Sequence, residues 1–165
     1  MITIICGTNR NLSNSYIFAK EIEVLINSKQ EGCKVLNLED LPNDFAFENE
    51  VYGNEYAPLN LIANKFISGS NKFVFVIPEY NGSFPGVLKA FIDSFSPDRI
   101  RGKQALLIGI ASGRAGNLRG LDHFTGVMNY LDVHVLPMKV AISHCHTLID
   151  EKSKSISDER TIELL

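Results

Sequence analysis

The chain carries three polar, glycine-bearing stretches whose residue types suit the binding of an anion and of a planar ring. They are Gly7-Thr8-Asn9-Arg10-Asn11-Leu12-Ser13-Asn14-Ser15, Pro78-Glu79-Tyr80-Asn81-Gly82-Ser83-Phe84-Pro85-Gly86 and Ser112-Gly113-Arg114-Ala115-Gly116. The first offers the hydroxyls of Thr8, Ser13 and Ser15, the amides of Asn9, Asn11 and Asn14, and one guanidinium, Arg10. Ahead of a helix, such a stretch presents backbone N–H groups and the positive helix end to an anion. Hydroxyls add donors with little bulk, and an arginine engages two phosphate oxygens together. A solvated polar connection with a serine cap is the plain alternative, and spacing alone leaves both open. Without Gly-Lys-Ser/Thr or GxGxxG, the stretch suits a monophosphate better than a pyrophosphate.

The second stretch brings main-chain amides and the Tyr80 ring to a flat heterocycle, with Gly82 and Gly86 allowing close backbone approach. Its plain alternative is a solvated Glu79 and a Tyr80 that covers the core. In the third stretch Ser112, Gly113 and Arg114 repeat the small-residue theme, and the glycines at 113, 116 and 120 again miss the dinucleotide fingerprint. Here the alternative is a turn leading into a helix, with Ser112 as the cap and Arg114 in solvent.

The elements that must position these stretches are legible as apolar runs and helical periods. Ile2 to Cys6, Lys72 to Ile77 and Ala105 to Ala111 read as strands buried on both faces, each delivering one stretch at its carboxyl end. Cys33 to Leu38 and Asp132 to Leu136, closing at Pro137, read as two more. Helical spacing covers about Ser13–Ser28 (capped by Ser13 or Asn14), Pro58–Ser68, Pro85–Phe95 and Asn117–Tyr130, and Ser157-Asp158-Glu159 caps a last short helix. The acidic, aromatic segment 39–57 reads as a long excursion near the ligand edge, and Ser143–Ser157 as a loosely patterned polar tail. Strand and helix alternate five times, the pattern of a doubly wound α/β domain. The economical topology is a flavodoxin-like five-stranded parallel sheet of order 2-1-3-4-5, with helices on both faces. The three stretches then meet at the switch point between the first and third strands, where open α/β sheets bind ligands.

At 165 residues and 45% hydrophobic content the chain is expected to form a single domain, residues 1–165, without disulfides or a metal. The net charge of -3 leaves no electrostatic footprint for nucleic acid or anionic lipid. Three separated cysteines, Cys6, Cys33 and Cys145, fit a reducing cytoplasm, and neither a signal peptide nor a membrane-spanning segment is read at the amino end.

GTNRNLSNS, PEYNGSFPGVLKAFIDSF and SGRAGNLRGLDHF, in this order and spacing, resemble the NADPH-dependent FMN reductase family, flavoproteins of flavodoxin-like fold that reduce azo compounds, quinones and chromate. The similarity spans about residue 2 to Pro137, and PEYN-G-x-x-P-G-x-L-K is its most specific motif. The resemblance implies FMN as cofactor and NADPH or NADH as co-substrate. It implies that Thr8, Arg10, Ser13, Asn14 and Ser15 surround the FMN phosphate, that Pro78, Glu79, Tyr80, Asn81 and Gly82 line the isoalloxazine edge, and that Ser112, Gly113 and Arg114 border its other side. It further implies a quinone, azo compound, metal oxyanion or flavin as acceptor, and a homodimer or homotetramer. No protein group is needed as a catalytic residue, because the flavin carries the chemistry. The chain departs from the common pattern at Ser15, where relatives often carry Asn, which puts one phosphate contact in doubt. Ala90 and Ser94 replace an Asn and a Trp on the following helix, where packing or a subunit interface is affected more than chemistry.

Other chemistries fit worse. Ser83 is one position off a GxSxG elbow. His144-Cys145-His146 has no nearby partner in sequence for a metal, and His123 and His134 read as packing residues. Cys6, at the end of an apolar strand, is expected to be an inert thiol. The alternative function is a flavodoxin-type electron carrier without its own NAD(P)H oxidation; a charge of only -3 argues against that more acidic class. A binding protein that has kept the fold and lost turnover is a third reading.

Overall fold

The strands arise where apolar residues run without interruption. In the computed structural model, which describes residues 1–48 and 57–165, β1 (Ile2–Cys6), β2 (Cys33–Asn37), β3 (Lys72–Pro78), β4 (Gln104–Ile110) and β5 (His134–Ile142) form one parallel sheet of order β2-β1-β3-β4-β5. This is the order and sense expected from the strand–helix alternation.

Alternation along each central strand explains why those runs are continuous. On β3, Phe73, Phe75 and Ile77 join one core cluster while Val74 and Val76 join the other; on β4, Ala105 and Leu107 oppose Ile108 and Ile110. Burial on both faces leaves no polar side of the pleat to show in the sequence. The helices are α1 (Asn14–Ser28), α2 (Phe45–Glu48), α3 (Ala57–Ile62), α4 (Gly86–Asp93), α5 (Leu118–Tyr130) and α6 (Glu159–Leu164). Phe18, Ala19 and Ile22 of α1 and Ile162 of α6 cover the Val74 face. Leu59 of α3, Leu88 and Phe91 of α4, and Leu121, Phe124 and Met128 of α5 cover the Phe75 face. Phe75 and Phe124 meet edge to face at 4.9 Å, and fully burying a ring of this size is worth about 1.5–3 kcal/mol.

Four local details differ from the readings above. β5 does not close at Pro137 but continues to Ile142. The pairing jumps from Ala105–Val135 to Leu107–Lys139, so Pro137 falls in a bulge of an edge strand, where the absent N–H costs no ladder bond. The expected helix 58–68 is α3 followed by a π-helical turn, Ala63–Ser68, which buries Ala63 and Ile67. The tail, loosely patterned in sequence, takes defined structure: Cys145–Leu148 forms a 3₁₀ turn, Ile149 bridges Ile156, and Cys145 and Ile156 are buried. Ser112 does not cap α5, which starts from Asn117 in the left-handed conformation. Of the excursion 39–57, residues 49–56 lie outside the described residues; before them Leu41 and Phe45 are buried in the core and Phe47 is exposed.

Candidate functional site

The carboxyl ends of β1, β3 and β4 open onto one cavity of about 210 Å³. From the first stretch it is lined by Thr8, Arg10, Ser13, Asn14 and Ser15, from the second by Pro78, Glu79 and Tyr80, and from the third by Ser112. These stretches are brought together as the topology requires. Asn81, Gly82, Gly113 and Arg114 do not line the cavity. Asn81 and Gly82 occupy the tip of a turn, and Gly113 and Arg114 are exposed on the third loop.

The floor follows from helix capping. Ser13 is the N-cap of α1, its hydroxyl accepting from the Tyr16 N–H at 3.3 Å. The N–H groups of Asn14 and Ser15 precede any intrahelical acceptor, so they stay available at the helix end. Ser15 is only 2% exposed, lines the cavity, and its hydroxyl has no hydrogen-bond partner among the described residues. A hydroxyl with no protein partner in a cavity wall, beside free helix N–H groups, is a ready donor to a ligand oxygen. Thr8 is fully buried; its hydroxyl oxygen accepts from the Arg10 N–H at 3.2 Å and lies 2.7 Å from the Tyr80 hydroxyl.

The second loop is a tight hairpin. Asn81 and Gly82 both have positive φ (51° and 78°), and Tyr80 and Ser83 exchange backbone hydrogen bonds of 2.9 and 3.1 Å across them. Two successive positive φ values make this a type I′ turn, for which Asn-Gly is the preferred pair. Residues of α5 fasten it. His123 Nδ1 is 3.0 Å from Ser83 Oγ, and the Phe84 and Phe124 rings meet edge to face at 5.3 Å. Arg119 lies against Gly82, its Nη1 3.2 Å from where a Cβ would stand.

Two contributors escape the sequence reading, Asn117 and Cys145. Asn117, fully buried at φ 65°, donates from Nδ2 to the Ile77 carbonyl at 2.9 Å and so locks the third loop to the strand that carries the second. Gly116 before it also has positive φ (55°), and a Cβ there would stand 2.6 Å from the Ala141 carbonyl carbon. Cys145 reaches the cavity wall from beyond β5: its N–H donates to Ala111 O at 3.0 Å, the His144 N–H donates to Gly113 O at 3.1 Å, and Asn14 Nδ2 approaches its sulfur at 3.7 Å. Ile110 and Ala111 complete the floor. The third loop's glycines were the one signal for Asn117; nothing local announces Cys145. Cys6 lies beneath Ser13, 3.8 Å from its hydroxyl, and burial pushes its thiol up to about 11.

Comparison with known proteins identifies relatives of the chain. The family model described as NADPH-dependent FMN reductase matches residues 1–147. An NAD(P)H-dependent FMN reductase of Pseudomonas aeruginosa is 30% identical over 128 residues, 75% of this chain and 69% of that protein. A 2-hydroxy-1,4-benzoquinone reductase of a Burkholderia species is 26% identical over 133 residues, 72% of this chain and 73% of that one. Among solved structures, FerB, a flavoenzyme NAD(P)H:(acceptor) oxidoreductase from Paracoccus denitrificans, superimposes with a TM-score of 0.77 at 22% identity, covering 99% of this chain and 89% of FerB. That last likeness carries the fold.

Proposed function

Because the chain belongs to the NADPH-dependent FMN reductase family, an oxidoreductase family working with FMN and NAD(P)H, we propose that it holds FMN in the cavity above β1, β3 and β4 and passes reducing equivalents from the nicotinamide to a small-molecule acceptor. The acceptor is a quinone, azo compound, metal oxyanion or free flavin. The observation that carries the reading is the cavity-lining Ser15 hydroxyl, without a partner among the described residues, beside the free N–H groups of α1, with Arg10 at the mouth. That donor set fits a phosphate, with the Ser15 hydroxyl as one of its donors.

The residues divide the work. Ser15, the first N–H groups of α1 and the Arg10 guanidinium bind the phosphate; Ser13 fixes the helix end, and Thr8 ties the first loop to Tyr80. In the second loop the Glu79 and Tyr80 N–H groups are taken by the Ile110 and Ser83 carbonyls, so the Asn81 and Gly82 N–H groups of the turn, above the rim, are the ones that face the edge of the ring and stabilise negative charge there by preorganised dipoles. Ser112, Gly113 and Arg114 border its other side. At about 210 Å³ the cavity is smaller than the roughly 300–1,000 Å³ of typical ligand sites, so it takes the phosphate end while the ring rests on the open rim. When bound, FMN supplies the hydride and electron transfer, and the protein supplies binding, orientation and electrostatics.

The chain works as one domain in the cytoplasm, and a homodimer or homotetramer covers the exposed rim. Among the described residues no helix is long and apolar enough to cross a membrane. Light scattering tests the assembly: a monomer with full activity removes it. The test of the function is an absorbance spectrum of the purified protein after FMN addition and desalting, followed by NADPH oxidation with a quinone. Retained flavin bands and steady turnover are expected. A protein that never retains FMN overturns the site, and retention without NADPH oxidation identifies an electron carrier instead.

A further inference from the structure

The cradle at the start of α1 continues into a second cavity. Leu12, Ser13 and Asn14 line both, and the second, of about 450 Å³, runs down α1 between that helix and the tail beyond β5. Ser13, Tyr16, Ile17 and Lys20 stand at i, i+3, i+4 and i+7, which makes one wall a continuous helical stripe. The other wall comes from the tail, held in place by the Ile149–Ile156 bridge.

Its chemistry is that of a groove for an aromatic group carrying negative charge. Ile17 and Ile149 supply apolar surface and Tyr16 a ring; Lys20, Lys154 and His146 line it with one carboxylate, Glu151, and Lys20 also pairs with Glu23. Leu12, at the junction, is 91% exposed with a positive φ of 51°, a backbone setting that side-chain-bearing residues rarely adopt. A ligand filling both cavities would cover it.

We propose that this groove holds the adenylate half of flavin adenine dinucleotide when that flavin takes the place of FMN. The inference rests on the reading that the cradle holds the flavin phosphate. The first phosphate stays at Ser13–Ser15, and the second passes the Leu12 junction toward the cations of the groove; this is how a loop that lacks a pyrophosphate motif admits one. The adenylate of a nicotinamide dinucleotide is the other source of the same chemistry. The groove meets the cradle at its phosphate end, away from the 78–82 turn where a nicotinamide must reach the ring, and this favours the flavin's own adenylate.

The test titrates full-length apo-protein with FMN and with FAD by flavin fluorescence, in the wild type, Tyr16→Ala and Lys154→Glu, and measures the NADPH KM of each. The wild type is expected to bind both flavins with similar affinity. Tyr16→Ala is expected to weaken FAD about tenfold, the scale of a lost base–aromatic stack, with Lys154→Glu acting in the same direction, and FMN affinity and the NADPH KM unchanged. Equal weakening of both flavins, or FAD binding far weaker than FMN in the wild type, overturns the inference while leaving the FMN site intact. A raised NADPH KM with FAD affinity unmoved assigns the groove to the reductant and also overturns it. Failure to bind FMN at all removes the cradle itself, and the inference with it.

Discussion

The Thr8 hydroxyl and the Tyr80 hydroxyl lie 2.7 Å apart across 72 residues of sequence, tying the loop after β1 to the loop after β3. The Thr8 oxygen already accepts from the Arg10 N–H, so the same atom also shapes the loop that carries the guanidinium.

Tyr80→Phe keeps the ring and deletes this link. A net loss of about 0.5–1.5 kcal/mol is expected, a roughly 2- to 12-fold weaker hold on FMN. Equilibrium titration of apo-protein reads it; unchanged affinity would place the Tyr80 hydroxyl outside the site.

Arg10→Ala removes the only charged donor of the first loop. A charge-assisted contact of about 1.5–3 kcal/mol corresponds to roughly 10- to 150-fold weaker FMN retention. Because Arg10 is exposed, thermal stability without flavin should stay where it was. A large fall in melting temperature with intact FMN affinity contradicts the assignment.

Asn117 tests the lock between the third loop and β3. Asn117→Ala loses the bond to the Ile77 carbonyl and leaves a Cβ-bearing residue without local support at φ 65°, together about 2–4 kcal/mol. Asn117→Gly loses the bond but not the conformation and is expected to cost less. Urea unfolding orders the three proteins, and an alanine variant as stable as the glycine one would show that the left-handed geometry carries no penalty. Gly116→Ala should fail more severely, since its Cβ would press on the Ala141 backbone at 2.6 Å.

The cysteines give a labelling order. Cys33, partly exposed, is expected to react first with a disulfide reagent; Cys145 follows, and FMN slows it because it lines the cavity; Cys6 reacts only on unfolding. Burial holds the Cys6 thiol at about 11 against an ordinary 9.0. A raised acid pKa favours the neutral folded form, so its stabilising contribution is complete below 9.0 and declines as pH rises toward about 11. The stability difference between wild type and Cys6→Ala should therefore narrow over that window. A constant difference would mean that the thiol titrates alike in both states.

The sequence by itself determined what repeats locally. Apolar runs at Ile2–Cys6, Lys72–Ile77 and Ala105–Ala111 read as strands buried on both faces, and the strand–helix alternation pointed to a parallel sheet whose order puts three loops at one edge. Ser13 as a helix cap was legible because a cap acts on its own next turn. Tertiary structure alone decided what depends on a distant partner. Pro137 stays inside a strand because β5 is an edge and bulges there. Asn81 and Gly82 stand off the cavity because their turn projects away and is fastened by Arg119, His123 and Phe124. Cys145 becomes a wall because two backbone bonds fold the tail onto residues 111–113. Hydrogen bonds and packing between segments tens of residues apart leave no periodic trace in either segment, so only the folded chain shows which loops close the site.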